Sequence, residues 1–222
     1  MFEENCIIFD MDGVLADTGL IHFKSWVKMA NEINIEFTRE FFKKTFGQQS
    51  VSIIRKLVGP KVDRALVEKW ADLKENYYRE MVKEKLVPLP GVIDLIKILK
   101  EKRFKLAVGS SGPPENVELL LMSLKITQFF DVVITAREVK KGKPAPDIFL
   151  IIANRLKLKP ENCIVIEDAP VGIEAARSAK MSTIALTTTH RKTELANADL
   201  IVKDLSFVTI KDIINLLKLN TK

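Results

Sequence analysis

Two carboxylates spaced one residue apart, Asp10 and Asp12, end the apolar run "CIIF" and are followed at once by Gly13. In an extended segment, residues two apart project to the same side, so both carboxylates can face one reacting group. An isolated D-x-D-G is ordinarily a strand running into an acidic turn, because Asp and Gly are common turn formers. The residues that follow the other apolar runs shift that balance. After "KLAVG" come Ser110, Ser111 and Gly112, with Pro113 and Pro114 opening a helix, where free N–H groups and hydroxyls make a cradle for phosphate. "CIVIE" ends in Glu167 beside Asp168, and "KKGKPAPD" holds Lys143 between Gly142 and Pro144, outside any regular element. Taken singly, these are a capped helix start, an acidic helix N-terminus and a solvated loop lysine. Coincidence is a poor explanation for all of them at once.

Four carboxylates at one edge, Asp10, Asp12, Glu167 and Asp168, repel one another unless a cation sits among them. Oxygen donors without a nearby His or Cys favour a hard ion, and few protein ligands with room for water and a phosphate oxygen suit Mg²⁺. An Asp carboxylate is the type that forms an acyl phosphate in covalent phosphoryl transfer. Magnesium and Lys143 would hold the charge of the transferring group, while the Ser110 hydroxyl and local N–H groups position it. The second carboxylate, Asp12, lies where it can protonate the leaving oxygen and then activate water. The expected reaction is phosphoryl transfer through an aspartyl-phosphate.

These residues share an edge only if the chain forms a parallel sheet, whose ligands bind beyond the carboxyl ends of the strands. Short β-rich runs at 5–9, 104–109, 131–135, 162–167, 182–186 and 198–202 alternate, after the first, with helical patterns such as "GVIDLIKILKEK" and "PVGIEAARSAK". That alternation predicts an α/β fold, a Rossmann-like parallel sheet with helices on both faces. One interval breaks the rhythm. Residues 15–87 carry only helical periodicity, ending in a long pattern over 63–85, and are expected to form a helical-bundle cap domain inserted after the first strand. The core is then 1–14 and 88–222, with hinges at "VLADTG" and "VPLPG", where each proline biases its predecessor away from helix. Residues 14–87 hold 14 Lys and Arg against 10 Asp and Glu, or +4 of the total +6.

The bulk numbers narrow the function class. At 222 residues and 47% hydrophobic content the chain can bury a full core. No apolar run reaches the roughly 18 residues of a membrane helix, and the first strand begins so early that no removable leader is expected, so the cytoplasm is the expected location. The basic residues are scattered singly among acids, which speaks against a nucleic-acid partner. Cys6 and Cys163 have no metal-ligand spacing and read as small buried thiols. A monomer with a small phosphorylated metabolite as its partner is expected.

"DMDGV", a strand ending in "GSSG", "KGKPAPDIF" and "VIEDAPVGIEAA" together resemble the four motifs of the haloacid dehalogenase superfamily, in order and spacing and over nearly the whole chain. The helical insert resembles that of its small-cap, beta-phosphoglucomutase-like branch. The resemblance implies Asp10 as nucleophile and Asp12 as general acid and base, with the Asp12 carbonyl on magnesium. It implies Ser110 and Lys143 as phosphate binders, and Asp168, assisted by Glu167, as metal anchor. Ser111, Gly13, His22 and Gly47 are expected beside the substrate. It also makes the strands of Cys6 and Cys163 neighbours, so the two thiols are expected close together at equal depth and reduced.

A dehalogenase needs neither Asp12 nor a metal site, which leaves hydrolysis or transfer to a sugar. Thr18, His22 and "KENY" (74–77) are placed as in the mutases, although His22 beside Phe23 and Trp26 also fits a packed edge residue. The mutases carry a basic residue before the cap glycine and an arginine shortly after it. Here Phe46 precedes Gly47, and Gln48, Gln49 and Ser50 follow, leaving only Arg55 on the next helix as a replacement. Without a bidentate guanidinium contact a bisphosphorylated intermediate is poorly held. The expectation is a phosphatase, with a sugar phosphomutase as the alternative and a non-catalytic phosphate-binding module as a third reading that the intact acidic set disfavours.

Overall fold

The computed structural model describes residues 2–82 and 86–219. Strands β1 (Cys6–Phe9), β2 (Lys105–Gly109), β3 (Val132–Ile134), β4 (Cys163–Glu167), β5 (Ser182–Leu186) and β6 (Leu200–Val202) form one sheet in the order β3-β2-β1-β4-β5-β6. Every neighbouring pair is parallel. All six expected strands are therefore present, and β1 is central. Its residues are all buried, as an unbroken apolar run should be when helices cover both faces. Cys6 pairs directly with Cys163 in the β1–β4 register, and both thiols are free and buried, as expected.

Alternation along the strands sorts the core into two layers. Ile7, Phe9, Leu106, Val108, Ile164 and Ile166 face α5 (Val92–Glu101), α6 (Pro114–Ser123) and α9 (Ile210–Leu219). Cys6, Ile8, Ala107 and Val165 face α7 (Asp147–Leu156) and α8 (Pro170–Ser178). Helix α9 follows β6, where no element is expected from the sequence. Its Ile213, Leu216 and Leu217 supply the i, i+3, i+4 stripe that seats it on the sheet.

Between β1 and α5 the chain forms α1 (Gly19–Glu32), α2 (Arg39–Thr45), α3 (Ser50–Val58) and α4 (Arg64–Val82), and no strand among the described residues. Residues 83–85, the end of the expected fourth helix, lie outside the described residues. Trp26, Met29, Phe37, Ile54, Val67 and Ala71 form a separate apolar cluster at the centre of these helices. The outgoing and returning segments lie side by side, with Ala16 bridged to Pro88 and Leu89 N donating to Leu15 O at 3.1 Å. The two expected hinges are thus adjacent. No helix among the described residues is long and apolar enough to cross a membrane.

Candidate active site

One ammonium gathers three strand ends. Lys143 Nζ donates to Asp10 Oδ1 just beyond β1 (2.6 Å), to Glu167 Oε1 at the end of β4 (2.6 Å) and to Gly109 O at the end of β2 (3.2 Å). Asp10 keeps the sheet register, its N–H donating to Ile166 O at 2.9 Å, so its carboxylate emerges at the strand edge. Glu167 Oε2 accepts from the N–H groups of Asp168 (3.0 Å) and Ala169 (3.1 Å), which turns Oε1 toward Lys143. Gly172, in the first turn of α8, has to lack a side chain, because a Cβ there would run into the Glu167 carboxylate. Gly13 turns the chain away with φ +81, and a Cβ on it would strike the Asp168 carboxylate. Asp168 in turn accepts from the Thr189 hydroxyl.

One carboxylate oxygen from each of Asp10, Glu167 and Asp168 lies within 4.8 Å of the others, all three residues being buried, so the group could hold a cation. Burial pushes Asp10 up to about 7 against the pull of Lys143, with Glu167 and Asp12 adding to the rise. Burial, then Glu167 and Asp10, push Asp168 well up. Burial works to lower Lys143, but Asp10 and Glu167 outweigh it and hold the ammonium charged. Ionised together, three carboxylates around one ammonium would carry an excess of two negative charges, which is why Asp10 and Asp168 hold their protons so strongly, and an all-oxygen donor set of that charge fits a hard divalent cation such as Mg²⁺. Both Glu167 oxygens are committed to Lys143 and backbone N–H groups, which leaves Asp10 and Asp168 as the side chains that could hold such an ion directly.

Asp12 faces the helical insert. Its Oδ1 accepts from the Thr18 hydroxyl (2.5 Å) and His22 Nε2 (2.9 Å). Thr18 holds the N-cap position of α1 but makes no capping bond, so a hydroxyl worth about 1 kcal/mol to a helix is spent on Asp12 instead. His22 Nδ1 meets Lys74 Nζ at 2.8 Å; an ammonium can only donate, so Nδ1 accepts and Nε2 carries the hydrogen given to Asp12. Burial works to raise Asp12, yet His22, Thr18 and Lys74 hold it below the usual carboxylate range. Lys74 also donates to Glu75 Oε1 at 3.0 Å, which the Ser50 hydroxyl joins, and Glu75 Oε2 accepts from Asn116 Nδ2 at 2.6 Å.

A cleft of about 450 Å³, part of it open to solvent, lies between sheet edge and insert. It is bordered by Asp10, Asp12, His22, Gly47 and Ser111, among others, so five of the expected residues meet there. Lys143 sits behind Asp10. Ser110 and Gly13 do not border it: the Ser110 hydroxyl accepts from Gly112 N at 3.0 Å, and the Gly13 N–H donates to Ala16 O at 2.8 Å. Arg55 does not replace a cleft arginine, because its Nη1 donates to the carbonyls of Gly59 (3.4 Å), Pro60 (3.2 Å) and Val62 (2.6 Å). His22 borders the cleft and is also packed, stacking on Tyr78 at 4.0 Å while bridging Asp12 and Lys74, two contacts that the sequence does not predict.

Asn116, Thr189 and His190 have no place in the sequence reading, and Lys74 and Glu75 enter it only as part of "KENY". A stronger signal for Lys74 and Glu75 exists. The buried positions of α4 are Val67, Ala71, Lys74, Glu75, Tyr78 and Val82, so two adjacent charges stand on the apolar stripe. Thr189 and His190 follow β5 and obey the same strand-end rule as Asp10, with His190 Nε2 lying 3.2 Å from Lys43 O of the insert.

Residues 7–186 match the family model described as haloacid dehalogenase-like hydrolase. A phosphorylated carbohydrates phosphatase of Thermotoga maritima is 32% identical over 182 residues, 80% of this chain and 82% of that protein. A beta-phosphoglucomutase of Bacillus subtilis is 33% identical over 212 residues, 92% of each. The crystal structure of a beta-phosphoglucomutase from Clostridium difficile superposes with a TM-score of 0.89 at 28% identity, covering 98% of each chain.

Proposed function

The chain belongs to the haloacid dehalogenase-like hydrolases, and from that premise we propose that it is a magnesium-dependent phosphatase of small phosphorylated metabolites such as sugar phosphates, working through an aspartyl-phosphate. The observation that carries this reading is the Lys143 ammonium bonded to Asp10 and Glu167, with Asp12 two residues from Asp10 and held by Thr18 and His22. An Asp10 oxygen attacks phosphorus, the ester P–O bond breaks, and the protonated form of Asp12, which His22, Thr18 and Lys74 disfavour in the resting chain, delivers its proton to the leaving oxygen. In the second half Asp12 takes a proton from water, the water oxygen attacks phosphorus, and the bond to Asp10 breaks to release inorganic phosphate. Magnesium held by Asp10 and Asp168 would supply charge neutralisation on the phosphoryl group and keep Asp10 ionised at neutral pH. Ser111 and the N–H groups of its loop border the phosphate position, and helices α1–α4 act as a cap domain that excludes bulk water.

The test is turnover of p-nitrophenyl phosphate with and without Mg²⁺, by the native protein and by Asp10→Asn. Metal-dependent turnover that Asp10→Asn abolishes is expected; undiminished activity in that variant sinks the mechanism. A mutase remains the second reading because the His22–Lys74 couple is placed as in that branch and a mutase is among the relatives. No arginine borders the cleft among the described residues, which favours hydrolysis. With β-glucose 1-phosphate and a trace of glucose 1,6-bisphosphate, inorganic phosphate should form faster than glucose 6-phosphate; the reverse order makes it a mutase.

A further inference from the structure

The side of the cleft that α4 contributes is built against a second anion. Glu75 is buried and borders the cleft with Ser50, Trp26 and Phe46. Three donors converge on its carboxylate: the Ser50 hydroxyl, Lys74 Nζ and Asn116 Nδ2. Burial alone would raise this carboxyl, but Lys74, His22 and Ser50 hold it low, so it is charged. Lys74, the one lysine or arginine on the cleft among the described residues, is therefore already compensated. Ser50, Glu75 and Ser111 also border an outer hollow containing Arg64 and Arg137. Those arginines are occupied as well, Arg64 by Glu68 and Arg137 by Glu115, each at 2.7 Å, and Glu68 and Asp72 face the same hollow. Among the described residues that border the cleft and this hollow, every lysine and arginine already has a carboxylate partner.

We propose that Glu75 is a specificity-determining residue that confines the site to monophosphate esters of neutral, hydroxylated carbon skeletons and rejects skeletons bearing a second phosphate. The inference deepens the phosphatase reading and rests on it. A second phosphate carries about −1.5 to −2 charge at pH 7 and would be set beside a buried carboxylate, where like charges are poorly screened. Ligand hydroxyls, in contrast, can donate to Glu75 and exchange bonds with Ser50, while Trp26 and Phe46 present apolar surface to the carbon skeleton. Discrimination thus comes from repelling the wrong ligand as well as holding the right one.

The experiment measures binding, so it does not depend on turnover. Calorimetry on the Asp10→Asn protein with Mg²⁺ compares fructose 1-phosphate with fructose 1,6-bisphosphate. The monophosphate should bind at least tenfold more tightly. In Asp10→Asn/Glu75→Gln that ratio should shrink at least fivefold, and Glu75→Asp, which keeps the charge, should preserve most of it. A bisphosphate that binds equally or better, no binding of either ligand, or a ratio unmoved by Glu75→Gln overturns the proposal. If the Glu75→Gln protein does not fold, the ratio in Asp10→Asn alone still decides. Turnover of p-nitrophenyl phosphate by the native protein judges the phosphatase reading separately: turnover combined with tight bisphosphate binding keeps that reading and discards the role of Glu75.

Discussion

Lys143 is the residue on which the carboxylates most depend, because its single ammonium touches Asp10, Glu167 and the end of β2. Removing one partner of a buried ionic set typically costs about 3–5 kcal/mol, since the remaining charges lose their compensation. Lys143→Ala should therefore lower the urea stability of the metal-free protein at pH 8 by about that much, and an unchanged midpoint contradicts the account. Asp10 gives a second expectation. Its carboxyl sits at about 7 in the folded chain against 3.8 as its ordinary value. The folded state therefore holds this proton more tightly, so the associated stability is complete below about pH 4 and is lost as pH rises through about 7. In EDTA, the unfolding free energy from urea titrations should fall from pH 5 to pH 8 by up to about 3 kcal/mol, two pK units at roughly 1.4 each, and Asp10→Asn should flatten the slope. A slope of equal size in the variant removes Asp10 as its source. Asp10, Asp12 and Asp168 were legible in the sequence because each stands within three residues of the end of an apolar run. Glu75 was not, because its partners Ser50 and Asn116 come from other helices and only tertiary packing brings the three together.

At the scale of elements, α8 approaches the site so closely that its own composition is constrained. Replacing a helix-interior Gly by Ala ordinarily stabilises by about 1 kcal/mol. Gly172→Ala should do the opposite, lowering the melting temperature and cutting p-nitrophenyl phosphate turnover at least tenfold, because the new methyl displaces Glu167 from Lys143. A more stable variant with full activity contradicts the packing described for that turn. The same scale shows where periodicity informs and where it fails. The six strands were readable because each is an apolar run flanked by turn residues or charges. Helix α9 went unassigned although its apolar spacing is regular, since "IKDIINLL" mixes β-branched residues that suit strand as well as helix. In α4 the pattern gave the helix but concealed its purpose, as Lys74 and Glu75 pass for a solvated pair until Trp26 and Tyr78 are found around the lysine.

For the whole molecule, the insert is held on the sheet edge by a few buried polar ties: Glu75 to Asn116 at 2.6 Å, Arg79 to Asn116 at 2.7 Å, and Gln49 to Ala136 O at 3.3 Å. Both tryptophans, Trp26 and Trp70, lie in the insert, so intrinsic fluorescence reports on that part alone. Asn116→Ala cuts two ties at once and should raise acrylamide quenching of Trp26, which is 2% exposed in the native arrangement. Quenching that matches the native protein would mean these ties do not hold the insert. The helical character of residues 15–87 was readable from the sequence, whereas the ties were not, because each joins residues far apart in the chain. The strand order carries a further consequence, for synthesis. β1 is the first strand to be made, yet its neighbours β2 and β4 begin only at Lys105 and Cys163. At about 5–20 residues per second, "CIIF" waits roughly 10–30 s on the ribosome before both flanks exist. During that time Asp10 hangs from an unpaired apolar strand, a stretch that nascent-chain chaperones would be expected to shield.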